Sequence, residues 1–323
     1  MARYGDFLIR LALLGTAVVA ALALLGQLDL PGLAWPLELF THFSLHIAIV
    51  GLVLAGVGAF RLPRLALGSA VIVAMASMPV IALGKFERPN GSGCQPEACL
   101  TVMTANVWTR RDALTTLAER VAVRQPDVLG LNEVPSDLRE AELAALFPGY
   151  QTVALVSPET MGRPMGRHLA LLSREPVKSL ERILPEDTAG RGLIKAQLDF
   201  KGETVTIIAL HPLVPLTPEG RRARNALFEH VSAVSNETEN LIVMGDLNIT
   251  PWARDFRLLP GHRAGDPRLT YTHDVRKPLF GLPIDHILFD GNLELRAAQQ
   301  LDRFGSDHRP VLARFDLAPG RGR

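Results

Sequence analysis

The chain has 323 residues, 34 Lys and Arg against 33 Asp and Glu, and 48% hydrophobic residues. A formal net charge of +1 gives no general polyanion signal, so nucleic-acid binding cannot rest on composition. The positive mean hydropathy of +0.17 comes from one end: residues 1–84 hold few charges, and almost all the charged residues lie beyond Lys85. That asymmetry fits a membrane anchor joined to a soluble domain.

Three apolar stretches open the chain: "FLIRLALLGTAVVAALALLG", "FSLHIAIVGLVLAGVGAF" and "LALGSAVIVAMASMPVIALG". About 20 helical residues at ~1.5 Å each cover the ~30 Å hydrocarbon core. Transmembrane helices are therefore predicted over 7–26, 43–60 and 65–84. A cleaved signal peptide would account for the first stretch alone, but "ALALLGQLDL" is a poor cleavage site and two more spans follow. Buried helices of a soluble protein are the bland alternative. His46 inside the second span reads as a packing or interfacial group, and the spans carry few polar groups of the kind that mark a transport pathway.

The short flanks set the orientation. Arg3 and Arg10 precede or interrupt the first span, and Arg61 and Arg64 sit in the "RLPR" link between the second and third. The first link has no Lys or Arg and carries Trp35 as an interface anchor. The N-terminus and the "RLPR" turn are thus expected in the cytoplasm. Everything after Gly84 is then extracytoplasmic, on a plasma (inner) membrane, although Lys85 and Arg88 argue the other way. Two cysteines, Cys94 and Cys99 in "CQPEAC", follow in a linker over 85–99. With no further Cys or nearby His to complete a zinc site, a small disulfide in an oxidising compartment is the expected state.

The soluble part starts near Leu100 with "LTVMTANVW", which alternates like a half-buried strand. A helix follows on the spacing of Leu114, Leu117 and Val121, ending before Pro126. "DVLGLNEV" reads as a short buried strand and "SDLREAELAALF" as a helix capped by Ser136. Strands are expected at 150–156, 168–173, 192–199 and 204–210. A helix then runs from "LTPEG" to about Val234, and "NLIVMGDLN" is another strand. After an irregular stretch over 251–280 come "PIDHILFD", "LELRAAQQL" and "RPVLARFDL", with a tail at 318–323. Many strands and few helices suggest an α/β protein with a two-sheet core and helices outside.

Polar residues recur at the mouths of these apolar strands. Asn106 ends "TVMTAN", Glu133 ends "VLGLNE", His211 ends "TIIALH", and Asp246 and Asn248 end "LIVMGDLN". Asp285 and His286 break into "PIDHILF", and Asp307 and His308 open the last strand. Singly these are ordinary turn formers. Together they form a pattern, since strand ends are where a rigid scaffold presents chemistry.

The set resembles the endonuclease/exonuclease/phosphatase superfamily, with its deoxyribonuclease-I-like fold. The matching pieces are "ANVW", "LNEV", "LHP", "GDLN", "IDHI" and "SDHRPV", over about Leu100 to Leu317. The resemblance implies a four-layer α/β sandwich of two mixed β-sheets flanked by helices, as a catalytic domain over 100–317. It implies hydrolysis of a phosphate ester with Mg²⁺, or Mn²⁺ in its place. Asn106, Glu133 and Asp307 would hold the metal. His211, Asp246, Asn248, Asp285 and His308 would carry the chemistry, with Asp285 orienting His308. Phosphoryl transfer needs a cation to neutralise phosphoryl oxygens, an in-line water and a proton route, and these residue types supply them.

His168, Arg167 and Arg191 are candidate substrate contacts, whereas His286 reads as a locally bonded strand residue. "RRAR" at 221–224 reads as a solvated helix face. The expected function is a membrane-anchored, metal-dependent phosphoesterase acting on a lipid, nucleotide or nucleic-acid phosphate ester outside the cytoplasm. A metal-dependent nuclease on DNA or RNA is the alternative within the class. A non-catalytic receptor or scaffold on the same fold is the alternative outside it. The lipid bilayer and the phosphate ester are the implied partners, and no protein partner is implied.

Overall fold

The computed structural model describes the chain apart from Met1, residues 91–93, 95–97 and 158–167, Val275 and residues 319–323, and gives backbone only for Ala2, His168, Leu269 and Pro278. The chain divides into two units. One comprises Met1–Gly84 with Pro215–Pro218 and Ile249–Phe256; the other comprises Lys85–Val214, Glu219–Asn248 and Arg257–Arg323.

The first unit is helical: α1 (Ala2–Leu25), α2 (Ala34–Thr41), α3 (Ser44–Ala59) and α4 (Pro63–Ile81). Among the described residues, two helices, Arg3–Leu25 and Pro63–Ile81, are long and apolar enough to cross a membrane; α2 and α3 make a third span only if the pair, bent by 62°, counts as one. The second predicted span thus differs from expectation: its helix has only 16 residues, and the chain turns sharply at His42 and Phe43 before it. Large apolar side chains such as Val53, Leu67 and Ile81 are more than half exposed. Inside, small residues let the helices approach. A Cβ on Gly51 would lie 2.6 Å from Val73.

Among the described residues, the second unit holds thirteen strands in two mixed sheets. The six-stranded sheet runs β12-β13-β2-β3-β5-β4, with β2 (Leu100–Asn106), β3 (Val128–Val134), β4 (Thr152–Val156), β5 (His168–Ser173), β12 (Leu293–Gln300) and β13 (Val311–Leu317). The seven-stranded sheet runs β1-β10-β11-β9-β8-β7-β6, with β1 (Phe86–Glu87), β6 (Val177–Ile183), β7 (Leu193–Phe200), β8 (Glu203–Leu210), β9 (Leu241–Asp246), β10 (His262–Ala264) and β11 (Asp285–Asp290). The β2–β3 and β8–β9 pairs are parallel, and the helices α5 (Arg111–Arg124) and α7 (Pro218–Ser235) make the crossovers. A short α6 (Glu140–Leu146) follows β3.

Period-two alternation explains how the sheets stack. Leu100 and Val102 of β2, Val205, Ile207 and Ala209 of β8, Ile242 and Met244 of β9, and Ile287 and Phe289 of β11 fill one core between the sheets. The opposite parity, Met103 and Ala105 of β2 with Leu129 and Leu131 of β3, packs with Leu114, Leu117 and Val121 of α5 and Leu143 of α6. Because both faces are covered, β2 and β3 are buried at every position and read as near-continuous apolar runs.

Several local expectations change. Ser136 does not cap α6: Arg139 occupies the N-cap position and Glu142 returns the bond to its backbone N–H at 2.9 Å. Strand β6, at 177–183, was not predicted, since its burial alternates only between partial and exposed. The face "RRAR" is not wholly solvated either. Arg224 is fully buried, its Nε and Nη2 donating to Asn225 Oδ1 at 3.1 and 2.8 Å with its guanidinium on the Phe228 ring. Cys94 and Cys99 are joined by a disulfide, with Cα atoms 6.1 Å apart. The tail lies outside the described residues from 319 onward.

Candidate active site

The inter-sheet rows end in polar residues. Asn106 continues Leu100, Val102 and Thr104; His211 continues Val205, Ile207 and Ala209; Asp246 continues Ile242 and Met244. Asp285 begins the row of Ile287 and Phe289, and β11 pairs with β9 so that Asp285 lies opposite Asp246. An alternating strand that packs its apolar side chains between two sheets therefore delivers its last residue of that parity to the same end of the core.

Glu133 has the wrong parity, that of Leu129 and Leu131, which face the helices. A register shift between Asn132 and Val134 and a φ of +54° at Glu133 correct it. Such a bulge re-aims a side chain, and Val134 falls back onto the helix side in its place. Glu133 Oε1 thereby comes within 3.4 Å of His211 Nε2.

Asp246 is the hub. Its Oδ2 accepts from Asn106 Nδ2 at 2.9 Å, and its Oδ1 accepts from the Asn248 backbone N–H at 3.1 Å. His211 Nδ1 lies 3.0 Å from the Asp246 carbonyl and so donates to it, which leaves Nε2 turned toward Glu133. His308 Nε2 stands 3.7 Å from Asp246 Oδ2, while His308 Nδ1 donates to Asp285 Oδ2 at 2.8 Å. Asn248 adopts φ +51° and donates to the Pro212 carbonyl at 2.9 Å. Gly245 precedes the hub at φ +151°, where a Cβ would meet the Leu210 carbonyl at 2.0 Å. Only glycine lets β9 pass so close to β8 there.

Three residues that the sequence reading assigned no role hold this cluster. Asn132 donates to the Leu210 carbonyl at 3.2 Å and accepts from the Asp246 backbone N–H at 2.8 Å, tying β3 to the opposite sheet. Ser306 donates to the Asn106 carbonyl at 2.7 Å and accepts from the His308 N–H at 3.1 Å, pinning the last loop to β2. Thr272 Oγ1 accepts from the backbone N–H groups of Ile284 and Asp285 at 3.1 and 3.0 Å. A fourth, His273, lays its ring 4.7 Å from that of His308. The signal for Asn132 was present, since it shares the row of Val128 and Gly130.

Burial by itself would lower the His308 pKa, but the carboxylates of Asp285 and Asp246 outweigh it and hold it up to about 10. Burial also pushes Asp285 upward, against the pull of His308. The pair thus keeps a proton between the two groups across the neutral range. Among the described residues, two sets of ligand atoms could hold a cation, Glu133–His211–Asp246 and Asp246–Asp285–His308, each with its atoms within 4.8 Å of one another. The first set fits a divalent ion on chemical grounds. It offers two buried carboxylates and an imidazole whose Nδ1 is already committed to a carbonyl, the usual orientation of a ligating histidine.

Not every expected residue joins the set. Asn106 turns its Oδ1 to the Trp108 backbone N–H at 2.9 Å. Asp307 is buried beside His308, its Oδ1 4.0 Å from His308 Nε2 and its Oδ2 3.6 Å from Arg276 Nη2. His286 accepts from Arg263 Nε at 2.9 Å, the local bonding expected of it. The His168 backbone pairs with Val134, beside Glu133, while its side chain and Arg167 lie outside the described residues. Arg191 sits in the turn before β7, its N–H bonded to the Thr188 carbonyl at 3.0 Å.

Two mixed sheets with helices outside, and a buried acid–imidazole cluster at one end, make a two-sheet α/β sandwich with a candidate metal-binding site. Residues 103–308 match the model of the Endonuclease/Exonuclease/phosphatase family, and the chain belongs to that family. Solved structures share the fold. A humanised D. rerio TDP2 is 20% identical, with a TM-score of 0.55 over 68% of this chain and 99% of its own. An endonuclease/exonuclease/phosphatase from Beutenbergia cavernae is 21% identical, with a TM-score of 0.55 over 68% of this chain and 72% of its own. The human Nocturnin catalytic domain, with bound sulfate, is 20% identical, with a TM-score of 0.54 over 69% of this chain and 94% of its own. No curated protein matches the chain significantly.

Proposed function

We propose that the chain is a membrane-anchored, divalent-metal-dependent phosphoesterase, with its catalytic domain (residues 100–317) outside the cytoplasm. The observation that carries the reading is the meeting of His211, Asp246 and Asp285, at the ends of inter-sheet rows, with Glu133 from the bulge and His308 from the loop before β13. Glu133 and Asp246 with His211 would hold the cation, and Asn106 and Asp307 stand beside them. Mg²⁺, or Mn²⁺ in its place, suits the carboxylate oxygens. When bound, the cation supplies charge neutralisation for the phosphoryl oxygens and a more acidic water.

The chain's own groups do the rest. Asp285 fixes the His308 ring through Nδ1, so that Nε2 faces the centre. A raised pKa suits His308 to donate a proton to a phosphoryl or leaving oxygen. His211, with Nδ1 fixed on the Asp246 carbonyl, keeps its remaining nitrogen, Nε2, turned toward Glu133 for the cation. Asn248, set by its left-handed backbone and its bond to Pro212, positions the phosphoryl group. The apolar helices favour a lipid phosphodiester or phosphorylated head group as substrate, because they keep the chain at headgroup level. Lack of Lys and Arg in the first link, against Arg61 and Arg64 in the second, supports an extracytoplasmic site.

The test is a parallel assay of the full chain in detergent with Mg²⁺ against phospholipids, phosphomonoesters, DNA and RNA. Lipid or head-group hydrolysis that is lost on chelation and in Glu133→Ala is expected. DNA or RNA as the only substrate would replace the lipid assignment by a nuclease. Absence of any phosphoester turnover, or turnover indifferent to both treatments, would remove the reading altogether.

A further inference from the structure

The rim of the centre carries a stack of side chains that the reaction's residues leave unexplained. Arg276 lays its guanidinium over the Trp108 ring, Cζ to centroid 4.6 Å, and Arg110 approaches the same ring at 5.6 Å. Arg276 comes from the loop before β11, and Trp108 from the loop after β2. Arg276 Nη2 is 3.6 Å from Asp307 Oδ2, and its Nε is 3.6 Å from Asp274 Oδ1. Even so, 53% of its side chain is exposed. Arg110 is committed elsewhere, with Nε donating to Asp112 Oδ1 at 2.9 Å and Nη2 bonded to Asp112 Oδ2.

Trp108 is placed by the centre itself. It and Thr109 hold φ of +53° and +51°, two successive non-glycine residues in the left-handed region. The Trp108 N–H donates to Asn106 Oδ1 at 2.9 Å and the Thr109 N–H to the Glu133 carbonyl at 2.8 Å. Costly backbone of this kind persists only where the surroundings over-determine it. What it achieves here is to set a half-buried indole against the guanidinium next to Asp307. A guanidinium held flat on an aromatic face keeps its edge N–H groups for a planar, bidentate anion contact.

We infer that Arg276, braced by Trp108, is a substrate-binding residue that grips the non-reacting oxygens of the phosphoester anion; the inference rests on the phosphoesterase reading. Lys277 is the internal control. It is the next residue, its side chain is 69% exposed, and it lies 4.0 Å from the same Asp274, but no aromatic ring braces it among the described residues.

The experiment uses the full chain in detergent with Mg²⁺ and two readouts: calorimetric binding of inorganic phosphate, and kinetics with an aryl phosphomonoester and an aryl phosphodiester. Arg276→Ala is expected to weaken phosphate binding and raise KM roughly 10- to 100-fold, the worth of one charge-assisted contact. Its kcat should change less than about threefold, the signature of binding shared by ground and transition states. Arg276→Lys should recover only part of the loss, because an ammonium lacks the planar fork. Trp108→Phe should stay near the parent, with Trp108→Ala between it and Arg276→Ala. Lys277→Ala should match the parent in both readouts.

Equal effects of Arg276→Ala and Lys277→Ala would overturn the inference, as would a loss in kcat alone or no phosphate binding by the parent. The relative loss on the two esters tells whether the grip serves a monoester or a diester. A failure of the phosphoesterase reading is distinguishable. It would show as turnover indifferent to Glu133→Ala, while the phosphate affinity of Arg276→Ala is measured without turnover.

Discussion

At Glu133 the chain breaks its own alternation, and the site depends on that break. A regular β3 would send this carboxylate to the helix side, among Leu114 and Leu117. The bulge spends a left-handed residue to bring it beside His211 instead. Glu133→Gln keeps the shape and removes the charge, so hydrolysis with Mg²⁺ should fall roughly a hundredfold or more. The circular-dichroism spectrum should be unchanged, and melting within a few degrees of the parent. His308 yields a second expectation through linkage. Its folded pKa, about 10, lies above the usual value of 6.5, so the stability it contributes is full below pH 6.5 and disappears as pH rises through 10. In metal-free buffer, the melting-temperature deficit of His308→Gln should be largest near pH 6 and shrink steadily toward pH 10. A deficit constant with pH would mean the imidazole is not charged in the native state.

At the scale of the element, the rows between the sheets do the positioning. Asn132 is their cross-link, bonded to the Leu210 carbonyl of β8 and the Asp246 N–H of β9. Asn132→Ala leaves a buried carbonyl and N–H without their partner, at a cost of about 1–3 kcal/mol. Chemical denaturation should report that loss, together with reduced turnover. Asn132→Asp should rescue neither, because it cannot donate to Leu210. Much of this was legible in the sequence. Asn106, His211, Asp246 and Asp285 each stand at a strand mouth in register with an apolar row, and a period of two is enough to find them. Glu133 was legible only as a strand-end acid, since no local residue announces the bulge: there is no glycine at that position. Asn132 was legible by its row with Val128 and Gly130 but stood next to the more conspicuous acid Glu133, and His273 was hidden by lying in an irregular stretch. Strand β6 escaped because its side chains are half wet and carry no clean alternation. Ser136 misled because a serine before a helical pattern is only a frequent cap, and here the chain takes three more residues to turn.

On the scale of the whole molecule, an apolar helical unit accompanies a domain whose chemistry is water-borne. Two or three helices suit a membrane, so the full chain should resist extraction by high salt and carbonate and leave the membrane only in detergent. The exposed Val123 on α5 offers a probe of sidedness. Val123→Cys should react with an impermeant maleimide on intact spheroplasts if the catalytic domain lies outside, and only after lysis if it lies inside. One feature of the α/β unit reaches further than catalysis. The proposed ligands are split between the sheets, Glu133 on one and His211 and Asp246 at strand ends of the other, so a cation seated there would act as a rivet through the sandwich. It would bind the native chain and not the unfolded one. At a hundred times its Kd it would then add about 2.7 kcal/mol to folding, making heat resistance a gauge of Mg²⁺ occupancy that needs no substrate.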